Sequence, residues 1–301
     1  MDFVTTRFRT GTKGPRIMGL AVLMVGGLVS LAGAAEIPVQ VSVSIMPQAW
    51  FVEEIGGDLV EVSVLVGPGH SPATYEPTPK QMAILEQANL FLAAGVPFEQ
   101  GLVPRIRSLP RAPVIAGPEA EGHGHHHDTD PHTWLDPIQA IAMADTISRH
   151  LQAMIPEQAE AIRKREKILA RQLTEIHDEI GRILAPFEGR SFFVFHPAFG
   201  HFAKAYGLVQ VSVEAGGHEP GPRHLAETID RARDAGARTV IVQPQFSRKS
   251  AETVADAIGA RIVVLDPLGA DYPANLMKIA RALAESSAIE VLGVETKEGG
   301  S

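Results

Sequence analysis

Two stretches of the chain alternate short apolar runs with segments of helical spacing. Val39-Gln-Val-Ser-Val-Ser-Ile45 and Val60-Glu-Val-Ser-Val-Leu-Val66 repeat with period two, as strands do. Residues 90–94 and 113–116 are shorter apolar runs, and residues 48–57, 79–88 and 98–108 between them suit helices. Strands separated by helices imply βαβ units and a parallel sheet with helices on its faces. A second series begins at Phe192-Phe-Val-Phe195 and continues with strands expected at 209–213, 239–242 and 261–265. Helices are expected there over 198–206, 222–235, 249–259 and 273–288.

The middle of the chain has a different period. Residues 138–154 read as a helix that stops at Pro156, and Pro156 suits the first turn of the next one. From Glu157 to about Ala185, Ile162, Ile168/Leu169, Leu173, Ile176, Ile180 and Ile183/Leu184 recur at helical spacing with charges between them. One helix of about 28 residues would be about 40 Å long and would act as a rigid connector. The expected fold class is therefore α/β: two parallel-sheet lobes joined by a long rigid helix, with a site in the interlobe cleft. The boundaries read as an N-terminal lobe over 36–137, connecting helices over 138–189, a C-terminal lobe over 190–291 and a flexible tail over 292–301.

Residues 1–35 stand outside this pattern. Arg7, Arg9, Lys13 and Arg16 precede an uncharged run from Ile17 to Leu31, and Ala32-Gly33-Ala34 follows. That is the layout of a cleaved secretory signal peptide, and the run is shorter than the ~20 residues of a membrane span. Without residues 1–35, Lys+Arg falls from 27 to 23 and Asp+Glu from 35 to 34, a formal charge of −11. Such a balance speaks against a nucleic-acid partner and favours cations. The absence of cysteine removes disulfides, thiol nucleophiles and thiolate metal sites, and also a lipid anchor built on cysteine. The expectation is a periplasmic, unanchored protein.

Twelve histidines remain to be explained. His70 lies in the loop after the 60–66 strand, His196 directly follows the 192–195 strand, and Asp266 follows the 261–265 strand. His132 lies in Asp130-Pro-His-Thr-Trp-Leu-Asp-Pro137, just before a helix. Ligands of open α/β sheets collect beyond the carboxyl ends of the strands, and two of these residues come from each half of the chain. Three imidazoles and one carboxylate make a tetrahedral zinc set. The tract Glu121-Gly-His-Gly-His-His-His-Asp-Thr-Asp130 offers further exchangeable ligands in its 121–128 loop. Neither a His-Glu-x-x-His helix nor a Gly-x-Ser-x-Gly elbow occurs, so the zinc hydrolase alternative, with an open coordination position, has no recognisable machinery.

Several ordered segments resemble the zinc and manganese solute-binding proteins of metal ABC transporters over roughly residues 38–290. They are Gly69-His-Ser-Pro-Ala-Thr-Tyr-Glu-Pro-Thr-Pro79, Asp130 to Pro137, and Phe195-His-Pro-Ala-Phe-Gly-His-Phe-Ala-Lys-Ala-Tyr-Gly-Leu208. Glu219-Pro-Gly-Pro-Arg223, Ile241-Val-Gln-Pro-Gln-Phe-Ser247 and Leu265-Asp-Pro-Leu268 complete the series. The resemblance implies a non-enzymatic, monomeric binding protein that delivers a metal to an ABC permease in the inner membrane. A metal buffer or adhesin without a transporter would use the same site. His132, His196 and Asp266 match the family's second, third and last ligands. The family's first histidine falls at Ala73, so His70, water or a histidine from 123–127 takes that place. His201 stands where the family often has an aromatic and reads as a cleft or surface residue. Three imidazoles and one carboxylate imply Zn2+ rather than Mn2+, which prefers more oxygen; copper and nickel also suit such ligands.

Overall fold

The structure, a computed structural model, describes residues 37–117, 130–214, 221–246 and 248–298. The expected leader and the 121–128 tract lie outside the described residues.

Both sheets form as the period-two runs suggest. In the first lobe β1 (Val39–Ile45), β2 (Val60–Val66), β3 (Leu90–Leu92) and β4 (Val114–Ala116) pair all-parallel in the order β2-β1-β3-β4. In the second lobe β5 (Ser191–Val194), β6 (Val209–Ser212), β7 (Thr239–Val242) and β8 (Arg261–Val264) pair all-parallel in the order β6-β5-β7-β8. The two lobes thus repeat one strand order without a sequence repeat. The serines of β1 do not mark an open face: Ser42 and Ser44 are buried, and Ser42 Oγ bonds Ser63 Oγ at 2.7 Å.

In the first lobe α1 (Met46–Gly56), α2 (Pro79–Gln87) and α3 (Glu99–Arg107) follow the first three strands. Thr78 opens α2 with a capping box: its Oγ accepts from Gln81 N, while Gln81 Oε1 accepts from Thr78 N at 3.0 Å. Two helices then run between the lobes. Asp136 caps α4 (Pro137–Met154) by accepting from Ile138 N at 2.9 Å. A 3-10 turn at Pro156–Gln158 precedes α5 (Ala159–Leu184), which therefore has 26 residues, about 39 Å. Ile162, Leu169, Leu173, Ile180 and Leu184 bury its apolar stripe.

The second lobe carries α6 (Gly200–Ala205), α7 (Pro222–Asp234) and α8 (Arg248–Ile258). The last helix, α9 (Tyr272–Glu298), runs past Leu292, where the sequence pattern expects a tail. Glu295 to Glu298 hold no helix breaker, and Gly299-Gly300 follow. The helix also serves more than the C-terminal lobe. Leu276, Ile279, Ala280 and Leu283 join one core with the first lobe, α4 and α5, while Tyr272 stacks on Trp50 at 5.2 Å. That core also takes in Phe192, Val194, Phe199 and Phe202 from one side of the second lobe. The other side has two smaller clusters, one around Val213, Val240 and Val254 and one around Phe193 and Ala232.

Candidate metal site between the lobes

The site grows out of the carboxyl ends of the second sheet. Ladder bonds continue past the strands: Phe195 N donates to Ile241 O, Val213 N to Val194 O, and Glu214 N to Phe195 O. His196, after β5, therefore stands beside Glu214, after β6, and Gln243, after β7. In this strand order the crossovers leave β5 and β7 in opposite directions, which makes a ligand crevice at their ends.

His196 is fixed on three sides. Its Nδ1 lies 2.9 Å from Glu214 Oε1, and the Glu214 side chain is 3% exposed. Its backbone N donates to Gln243 Oε1 at 3.1 Å, and Gln243 Nε2 donates back to its carbonyl. Its ring stacks on Phe246 at 4.8 Å. His132 approaches from the segment before α4, its ring centroid 5.4 Å from that of His196. Asp130 Oδ1 takes both the His132 backbone N–H at 3.0 Å and the ring Nδ1 at 2.6 Å. A carboxylate is an acceptor, so each imidazole carries its proton on Nδ1 and keeps a lone pair on Nε2. A carboxylate behind a histidine is the usual outer support of a metal ligand: it fixes the tautomer and raises basicity.

The electrostatics agree with neutral His132. Burial pushes its pKa below the usual histidine value, against the opposing hydrogen bond and charge of Asp130. Burial acts to raise Asp130, but its bond and charge interaction with His132 outweigh that and hold it below the usual carboxylate value. His132 is thus disposed to donate a lone pair rather than carry a charge.

Asp266 and His70 are held in their own surroundings. Asp266 Oδ1 accepts from Gln245 Nε2 at 2.7 Å and from Leu268 N at 2.9 Å. Its loop is tied to the His132 turn, because Trp134 Nε1 donates to Pro267 O at 2.8 Å and Tyr272 Oη donates to Trp134 O at 2.7 Å. His70 is exposed, with Nδ1 3.1 Å from Pro68 O and its ring edge-on to Tyr75 at 5.9 Å. Ala73 lies exposed on the same loop. Among the described residues no three His, Asp or Glu side chains form a ready metal cluster. The structure brings His132 and His196 together, while the bonds of His70 and Asp266 run to their own loops and to Gln245.

Sequence reasoning did not single out Asp130, Glu214, Gln243 or Gln245. Asp130 carried a signal, standing two residues before His132 in a quoted motif. Glu214 is 18 residues from His196, and only strand pairing brings the two together. His201, read as a cleft or surface residue, is half-buried, with Nε2 2.9 Å from Asp130 O.

A family model described as zinc-uptake complex component A, periplasmic (ZnuA) matches residues 41–286. A putative metal-binding protein of Chlamydia muridarum is 31% identical over 257 residues, which is 83% of this chain and 93% of that protein. The zinc-binding lipoprotein AdcA of Streptococcus pneumoniae R6 is 26% identical over 278 residues, covering 82% of this chain and 56% of AdcA. Among solved structures, a crystal structure of ZnuA matches with a TM-score of 0.79 and 36% identity, over 83% of this chain and 100% of that one. AdcA is named a lipoprotein, so it lends no support to the expectation of an unanchored chain. Among the described residues no helix is long and apolar enough to cross a membrane.

Proposed function

Because this chain belongs to the family of zinc-uptake complex component A, the metal-binding solute-binding proteins of ABC transporters, we propose that it captures Zn2+ in the periplasm and delivers it to an inner-membrane permease. It does so as a monomer, and no reaction is needed. The observation that carries this reading is the pair His132 and His196, each held through Nδ1 by a carboxylate with its rings 5.4 Å from the other's.

Asp266 and His70 complete the proposed ligand set. Asp266 already accepts two hydrogen bonds on Oδ1, which leaves Oδ2 for a cation. His70 sits on a loop with Gly69 at φ +76°, and the backbone bonds His70 N to Gly67 O, Thr74 N to Ser71 O and Phe98 N to Pro72 O that hold this loop are each 3.3 Å. A glycine-bearing loop with long hydrogen bonds can re-fold around an ion at small cost. The set then assembles on binding: a fixed imidazole pair first, the loop second. Nitrogen donors outnumber oxygen, which favours zinc over manganese.

Native mass spectrometry of chelator-stripped protein tests this. One tightly held zinc per chain, kept when residues 121–128 are deleted and weakened by His70→Ala, is the expected result. No tight zinc in the intact protein would refute the zinc reading.

A further inference from the structure

Asp130 is itself held by a seat on the second lobe. Gly200 opens α6, and a Cβ added to it would stand 2.4 Å from Asp130 Oδ2. The carboxylate thus lies against the helix in space that only glycine leaves. Next to it, His201 Nε2 is 2.9 Å from the Asp130 carbonyl oxygen. The other ring nitrogen, Nδ1, is 2.9 Å from Gln139 Nε2, and the same Gln139 amide donates to Asp136 Oδ2 at 2.8 Å. Asp136 is in turn the cap of α4.

The directions of these bonds follow from chemistry. A carboxylate only accepts, so the Gln139 NH2 group faces Asp136 and its second N–H reaches His201 Nδ1. His201 then carries its proton on Nε2 and donates to the Asp130 carbonyl. Both of its ring nitrogens are occupied, so it is no candidate ligand in this arrangement. The chain of bonds runs Asp136, Gln139, His201, Asp130, His132, and it joins α4 to α6 beside the metal site.

We infer that Gly200 and His201 form a seat that positions His132 for the metal by fixing Asp130 at both its carboxylate and its carbonyl. The inference rests on the reading of His132 as a ligand and adds two positioning residues to it. Gly200 supplies clearance, and His201 supplies a directed donor from the opposite lobe. The separation of the imidazole pair is then set by this seat as well as by the distant packing of α5.

The test uses the full chain with zinc as probe, read by competition against a chromophoric chelator, together with amide hydrogen exchange of the metal-free protein. His201→Leu is expected to weaken zinc about tenfold, the range typical of an outer-shell partner, and to speed exchange at the His132 amide. His201→Gln offers a donor and an acceptor at similar positions and should restore most of both. Gly200→Ala should repeat the loss with His201 intact. Wild-type zinc affinity in His201→Leu would overturn the inference, whatever the exchange does. Equal loss in His201→Leu and His201→Gln, with a matching fall in melting temperature, would overturn it too, by assigning His201 a general structural role. A His132→Ala control that binds zinc like wild type would refute the ligand reading. In that case the inference falls in its metal role, and exchange at the His132 amide in His201→Leu, faster or unchanged, shows whether the bond to Asp130 orders that turn.

Discussion

At the ends of β1 and β3, polar side chains turn back onto their own backbone. Gln48 Oε1 accepts from Ser44 N at 3.0 Å and Ile45 N at 3.3 Å. Glu99, fully buried, accepts from Ala94, Gly95 and Val96 N–H groups at 2.8 to 3.2 Å. At the same place in the second sheet, the ends of β5 and β7, Gln243 braces the backbone of His196 on both its N–H and its carbonyl. Glu214, on the neighbouring strand, holds the His196 ring. One strand order thus serves two purposes. In the first lobe the crevice is sealed for stability, and in the second it is wired to a ligand. Topology marks where a site can be, and the side chains at the strand ends decide whether one is built.

Breaking the wired side should cost binding first. His132→Ala and His196→Ala are each expected to weaken zinc several hundredfold, roughly a quarter of the ~10–16 kcal/mol of a closed zinc site. Their melting temperatures without metal should change little. Competition titration and calorimetry on the same samples measure both.

Breaking the sealed side should do the reverse. Glu99→Ala leaves three N–H groups, two of them buried, without that acceptor, and a loss of roughly 3 kcal/mol of stability is expected. Zinc affinity of the folded fraction should stay within about threefold of wild type. Denaturant unfolding followed by circular dichroism, with zinc titration below the transition, separates the two effects.

Milder changes sharpen the comparison. Asp130→Asn and Glu214→Gln keep the shape but exchange an anion for an amide, and each is expected to weaken zinc about tenfold. The reverse exchange at Gln48, to Glu, should leave zinc affinity untouched.

Acid should act through the imidazoles. A ligand histidine must be neutral, so affinity falls as pH drops past the ordinary histidine value of ~6.5. Burial depresses the His132 pKa, so its proton competes at lower pH than an exposed histidine's would. The steep loss should therefore lie below pH ~6.5, and zinc binding unchanged from pH 7.5 to 5 would contradict an imidazole site.

The strand pattern was legible because both sheets are parallel and their cores apolar: β1, β2 and β7 coincide with their period-two or apolar runs. The role of α9 was not legible. Leu276, Ile279, Ala280 and Leu283 have helical spacing that says they are buried, but not that they pack against the first lobe and α5. The site was legible to the same degree. His132 and His196 stand out by residue type and by position before a helix and after a strand. Glu214 does not, because a buried glutamate reads the same whether it caps a backbone, as Glu99 does, or holds a ring. The difference is made by the neighbouring strand, which sequence spacing does not record.

The central claim is that two imidazoles, held through Nδ1 by carboxylates, present Nε2 to the metal. Long-range nitrogen–proton NMR of histidine-labelled protein reads this directly, with His132→Ala and His196→Ala supplying the assignments. The account predicts that zinc shifts Nε2 of both residues into the metal-bound range while Nδ1 keeps its proton. Zinc bound through Nδ1, or both rings unchanged on saturation, would contradict it.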